Sequence, residues 1–369
     1  MRAPGSDCRD SSANHTAGPR VTRQTWTAFV SAAVFVVLAI LLVVVPVPFV
    51  NWSPGGAQDT LGEIDGKPII EISGIQTFPT TGQLDLTTVA TTPADGRLSL
   101  PQALLAYWLP RRDTIPRASI YDPGKSADEL EAEDADMMET AQDDAIVAAL
   151  HAASQPVTEM PQVTSVTIGG PAHNRLLPGD LVVSVDGVPA TETEVIQRLV
   201  RRHEVGEQVH FVVLRERTET EVTVTTVESP SQSGVPVVGI NIGVGYRYEP
   251  SISFELGQQI GGPSAGLVFA VAIYDKLTEG PLLEGKHVAG TGAITPNGDV
   301  GGIGAIQEKV AAAEREGATA FLVPAANCPA LAGLETDMTL IRVETLFEAI
   351  GALRDLQTPE RTASIPRCS

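Results

Sequence analysis

Hydropathy along the chain is uneven from the start. No residue between Gln24 and Gln58 is charged, and Phe29 to Val45 reads FVSAAVFVVLAILLVVV. With Trp26 and Phe49 as interfacial residues, this run is long enough to cross about 30 Å of hydrocarbon, and it predicts a transmembrane helix over 26–48. The preceding segment, 1–25, holds Arg2, Arg9, Arg20 and Arg23 against Asp7 and Asp10, whereas the first basic residue after the run is Lys67. By the positive-inside rule the N-terminus is cytoplasmic and the bulk of the chain lies outside, as in a single-pass protein of the cell membrane. Small residues at Gly55-Gly56-Ala57 leave a cleaved signal as the competing reading, but the apolar run exceeds the roughly 7–15 residues of a signal core.

Beyond the run, the periodicity separates four stretches. Residues 50–154 form an extracytoplasmic α/β region, with strands expected at Pro68–Ile72 and Gln83–Ala90 and helices at Leu100–Leu109 and Ser126–Leu150. The last helix carries nine acidic residues between Asp128 and Asp144, read as a solvated face. Residues 155–228 alternate as short strands (Val163–Val166, Leu181–Val185, Val209–Leu214, Val222–Val227) around a helix at Glu192–Arg202, with an Asp186-Gly187 hairpin signal. Residues 229–356 alternate strands and helices, including helices ending at Leu277 and spanning Ala305–Glu316. Residues 357–369 read as a disordered tail. The fold class is multi-domain α/β (α+β).

Composition removes several functions. The formal charge of −20 across 369 residues makes nucleic acid a poor partner, because phosphate binding needs a basic face, and of the 45 acidic residues only Asp7 and Asp10 precede the apolar run. An exterior this acidic is expected to keep off anionic lipid head groups. Cys8, Cys328 and Cys368 are too few and too scattered for a disulfide scaffold or zinc site, and the histidines show no paired metal-ligand spacing. Gly124-Lys125-Ser126 lacks the glycine a phosphate loop requires at position 119, which is Ser, and no apolar strand precedes it. No metal, nucleotide or other cofactor is implied.

Two positions carry candidate chemistry. The loop Gly261-Gly262-Pro263-Ser264-Ala265-Gly266 sets the Ser264 hydroxyl at the start of an apolar helix, where first-turn N–H groups and the helix dipole favour developing negative charge. A serine helix cap gives the same pattern without chemistry. The G-x-S-x-G spelling also fits a nucleophile elbow, but only His287 follows it, too close in sequence for the sheet that separates members of such a triad. A neutral lysine is the remaining base. Lys309 is centred on the apolar stripe formed by Ala305, Ile306, Ala312 and Ala313, with Gln307, Glu308, Glu314 and Arg315 assigned to the opposite side. Snorkelling at the core edge is the alternative for Lys309.

Leu176-Leu177-Pro178-Gly179-Asp180-Leu181-Val182-Val183-Ser184-Val185-Asp186-Gly187, with Gly170-Pro171-Ala172 upstream and a helix downstream, resembles a PDZ domain over 155–228, although Thr158–Gln162 lacks the glycine-bearing carboxylate loop of that family. Gly261–Gly266 around Ser264, followed 45 residues later by Lys309 in GGIGAIQEKVAAAEREGA, is similar to the proteolytic domain of Lon proteases. Anchor, PDZ-like module and Lon-like domain together resemble bacterial membrane-anchored PDZ–Lon-like serine proteases. The resemblance implies Ser264 as nucleophile, Lys309 as general base and polypeptide substrates docked by the PDZ-like module. Lon-like domains often form rings, so a homo-oligomer is a further expectation. Without a phosphate loop, ATP-driven unfolding is not expected. The rival reading is a non-catalytic membrane adaptor that binds peptides through the PDZ-like module.

Overall fold

The computed structural model describes residues 23–256 and 261–368; most of the expected cytoplasmic segment, 1–22, lies outside them. The chain enters through helix α1 (Arg23–Val44), long and apolar enough to cross a membrane and without a buried residue. Length and composition of this kind fit an anchor and a signal sequence alike.

Strand β1 (Pro46–Val47) and the eleven-residue β2 (Phe49–Asp59) follow directly. After short strands at Glu63–Ile64, Lys67–Pro68 and Ile70–Ser73, where the sequence predicts one strand over Pro68–Ile72, come β3 (Gln83–Thr91), β4 (Leu98–Ser99), helix α2 (Leu100–Trp108) and β5 (Asp113–Pro116). Helix α3 (Ala127–Ala152) starts at Ser126, whose hydroxyl accepts from the Glu129 amide while the Glu129 carboxylate accepts from the Ser126 amide. This reciprocal cap satisfies two of the orphan donors at the helix start. The first half of α3 is solvated, as its acidic sequence predicts. Its second half buries Met138, Ala141 and Ala145–Leu150.

A separate sheet follows, built from β6 (Thr158–Val166), β7 (Leu181–Val185), β8 (Gln208–Arg215), β9 (Thr218–Thr225) and β10 (Ile240–Arg247), with helix α4 (Thr193–Val200) between β7 and β8. Its strand order is β9-β8-β7-β6-β10. Val163, Val182, Val185, Ile196, Val209 and Phe211 share its small core. The sheet extends past the expected boundary at 228, because β10 pairs antiparallel with β6 along its whole length.

The chain then returns to the first sheet through helix α5 (Gly266–Leu277), β11 (His287–Gly290), helix α6 (Ile306–Glu316), β12 (Ala320–Pro324), β13 (Thr339–Val343) and helix α7 (Leu346–Leu356). The order is β13-β12-β11-β3-β2-β5, parallel from β13 to β3 and antiparallel beyond. Residues 50–154 and 229–356 therefore do not stand as two units: β3 lies beside β11, with Gln83 opposite His287 and Leu86 opposite Gly290. The small sheet is an insertion between two halves of one α/β core. Every residue of α5 except Lys276 is buried, as expected of a helix sealed on all sides. Leu84, Leu86, Ala145, Leu150, Phe269, Ile273 and Leu353 pack together there.

The C-terminal stretch is not a disordered tail. Ile365 is buried, Arg367 bridges to Ile341, and Cys368 forms a disulfide with Cys328. Two cysteines too sparse for a scaffold still tie one end of the chain to the turn after β12.

Candidate active site

Ser264 lies in a short 3₁₀ turn, Pro263–Ala265, entered through Gly262 in the left-handed region (φ 84°) and continuous with α5. The turn is pinned from below: the amide of Gly292 donates to the Ser264 carbonyl (2.8 Å), and the amide of Leu267 donates to the Gly292 carbonyl (3.0 Å). This close approach depends on Gly266, where a Cβ would sit 2.8 Å from Ile294 Cγ2. Lys309 arrives from α6, whose entry residue Ala305 adopts the left-handed conformation (φ 56°), unusual for alanine.

The two side chains meet. Lys309 Nζ donates to Ser264 Oγ at 2.6 Å and to Thr291 Oγ1 at 3.0 Å. Thr291 Oγ1 in turn donates to the Ser264 carbonyl at 2.9 Å. This pattern fixes directions as well as distances. The only hydroxyl proton of Thr291 is committed to the carbonyl, so its oxygen accepts from the amine. One N–H of Lys309 is thereby held toward Thr291. In the neutral amine the lone pair is left free to face Ser264.

Lys309 is 3 % exposed, and Thr291 is fully buried. Burial removes water that would otherwise stabilise an ammonium, and it lowers the Lys309 pKa from its ordinary 10.5 to about 8. A buried lysine near this value has a substantial neutral fraction close to neutral pH.

A groove of about 520 Å³ opens onto the pair. Trp52 and Val89 come from β2 and β3, Leu130 and Met137 from α3, and Ile303 and Gly304 from the approach to α6. Half of this lining comes from the N-terminal stretch, which the sequence presents as a separate region. Leu130 and Met137, seven apart on an acidic helix, are the signal that could have pointed to it. In the sequence Thr291 reads only as the first residue of a short strand, Thr291-Gly292-Ala293-Ile294, and nothing there marks its hydroxyl as part of the site. His287 is elsewhere, with its Nε2 2.6 Å from Asp85 Oδ2 and not lining the groove.

One assignment on α6 is corrected. Glu308 is not on a solvated side: it is 1 % exposed, with one carboxylate oxygen lacking a hydrogen-bond partner among the described residues. β2 and β3 cover α6 where the helical wheel predicts water. Burial, with a smaller contribution from Asp113, raises the pKa of this carboxyl.

Residues 259–353 match the Lon protease (S16) C-terminal proteolytic domain, and residues 143–226 match a PDZ domain. Lon protease 2 of Syntrophobacter fumaroxidans is 38 % identical over 110 residues, covering 29 % of this chain and 14 % of that protein. Lon protease of Roseiflexus castenholzii is 41 % identical over 93 residues, covering 24 % of this chain and 11 % of that protein. The chain thus spans only a small part of the length of these curated relatives. The PDZ domain of an SdrC-like protein from Listeria monocytogenes matches 22 % of this chain and 86 % of its own at 21 % identity, with a TM-score of 0.21. The chain carries a Lon-type proteolytic domain and a PDZ domain, on a mixed helix and strand framework behind one apolar helix.

Proposed function

We propose that this chain is a membrane-anchored serine endopeptidase that acts outside the cytoplasm, without ATP, through Ser264 and Lys309. The observation that carries the reading is the 2.6 Å contact between a serine hydroxyl and a buried lysine whose pKa is lowered to about 8. Neutral Lys309 takes the hydroxyl proton as Ser264 Oγ bonds to the substrate carbonyl carbon. The tetrahedral oxyanion is received by a backbone amide at the 264–266 turn, at the positive end of the α5 dipole. As the C–N bond breaks, the proton held by Lys309 passes to the leaving amine. Water then attacks the acyl-enzyme with Lys309 again as base, releasing the acid and restoring Ser264.

The extracytoplasmic assignment is supported by the arginines before α1 and by the Cys328–Cys368 disulfide, a bond that persists in oxidising compartments. An extended polypeptide fits the open groove, where Trp52, Val89, Leu130, Met137 and Ile303 offer apolar wall and Glu133 and Asp134 an acidic stretch along α3. The test is hydrolysis of an unfolded, casein-type substrate by the full chain in detergent, with no nucleotide added. Activity that disappears in Ser264→Ala supports the proposal. A fully active Ser264→Ala variant, or a wild-type chain that binds peptides but never cleaves them, would favour the adaptor reading.

A further inference from the structure

Helix α2 is amphipathic in the wrong sense for a protein in water. It buries only Ala103 and Ala106. Pro101, Leu104, Leu105 and Trp108, spaced i, i+3, i+4 and i+7, form an apolar stripe that faces away from the protein. Leu105 is 58 % exposed, and Tyr107 and Trp108 are 71 % and 74 % exposed. The opposite side of the helix is fixed to the core, where Thr114 Oγ1 donates to the Ala103 carbonyl. The stripe cannot turn inward without breaking that contact.

Where this stripe sits identifies what covers it. β1 follows α1 after a single residue and pairs with β4, Pro46 opposite Ser99 and Val47 opposite Leu98. β4 runs without a break into α2. The end of the apolar anchor and the start of α2 are therefore held side by side by strand pairing, and α1 and α2 themselves touch. The charge agrees. In a chain of formal charge −20, α2 is bracketed by the exposed Arg97 and Arg112 with no acidic residue between them, although Asp95 and Asp113 lie just outside; Arg111 is committed to Glu314 and does not count toward lipid. Tyr and Trp at the water boundary with arginines beside them is the composition of an interfacial helix.

We infer that α2 lies in the outer surface of the bilayer, with its Leu104–Leu105–Trp108 stripe among the upper acyl chains and Arg97 and Arg112 at the head groups. The inference rests on the reading of α1 as an anchor. It assigns α2 a function the anchor alone does not supply, fixing the orientation of the proteolytic core on the membrane. The acidic remainder of the surface then faces away from the lipid.

Tryptophan quenching tests it on the full chain reconstituted in phosphatidylcholine–phosphatidylglycerol vesicles, using lipids brominated high on the acyl chain. Wild type is compared with Trp26→Phe and Trp108→Phe, two exposed positions at which phenylalanine removes no packing. Trp26 reports on the anchor and Trp108 on α2. Because an interfacial helix sits about 5–10 Å into the head-group boundary, Trp108→Phe is expected to remove about half of the bromine-quenchable emission, and Trp26→Phe a comparable share. If Trp26→Phe lowers the quenchable emission and Trp108→Phe does not, the anchor is inserted but α2 is not, and the inference fails alone. If neither substitution changes it, the anchor reading fails and takes this inference with it.

Discussion

At the residue scale, the chemistry depends on what burial does to one amine. The folded pKa of Lys309, about 8, lies below the ordinary 10.5, so the folded chain holds fewer protons than the unfolded chain between these values. Stability is therefore reduced below pH 8 and rises as pH increases from about 8 to 10.5. Lys309→Met keeps the volume and removes the buried amine; it is expected to be inactive yet at least as stable as wild type at pH 7, by up to about 3 kcal/mol, in thermal or urea unfolding. A Met variant that cleaves peptide at the wild-type rate would remove Lys309 from the reaction. Thr291→Val loses the hydroxyl that holds the amine toward Ser264. A hydrogen bond to a charged group contributes about 1.5–3 kcal/mol, so kcat should fall roughly 10- to 100-fold with KM little changed. Loss of this acceptor disfavours the ammonium form, so the midpoint of the pH–rate profile should move down, and Thr291→Ser should restore it. An unchanged profile would reduce Thr291 to a structural bond.

At the element scale, the helices and most strands are legible in the sequence, but β2 and the joining of distant strands into one sheet are not. α3 announces itself by its Ser126 cap, and α6 by an apolar stripe that holds Lys309 among alanines, because both signals are local. β2 is hidden: Pro54, Gly55 and Gly56 interrupt it, and the ladder with β3 shifts register between Pro54 and Ala57. Its place beside β3 and α6 depends on contacts remote in sequence. Glu308 was misread for the same reason, since a helical wheel shows one packed face and cannot show that β2 covers a second. The Ser264–Lys309 pairing was legible because glycine-rich loop, serine and stripe-centred lysine each leave a sequence mark. Thr291 leaves none. The C-terminal stretch was also missed, its only signals being Ile365 and Cys368. The Cys328–Cys368 bond closes a loop of about 40 residues and should contribute about 2–4 kcal/mol. Replacing both cysteines by serine should lower thermal stability by that order while leaving Ser264 reactive. No change in the unfolding midpoint would mean that the tie has no part in the fold.

At the scale of the whole molecule, one α/β core is split by an inserted PDZ domain and preceded by an apolar helix that leads through β1 into β2. Trp52, which lines the groove, is seven residues beyond Val45, so an extended chain places the groove within about 25 Å of the end of the helix. Protease added to intact cells or spheroplasts is expected to digest the portion beyond residue 50 and spare the N-terminal segment; protection of the large portion would reverse the orientation. The central claim, that a neutral Lys309 activates Ser264, is tested most directly by the pH dependence of covalent labelling. The full chain is treated with a serine-reactive phosphonate, and modification of Ser264 is followed by mass spectrometry. Labelling of wild type should rise with pH to a midpoint near 8 and be nearly abolished at every pH in Lys309→Met. Labelling independent of pH, or equally fast in the Met variant, would contradict the account.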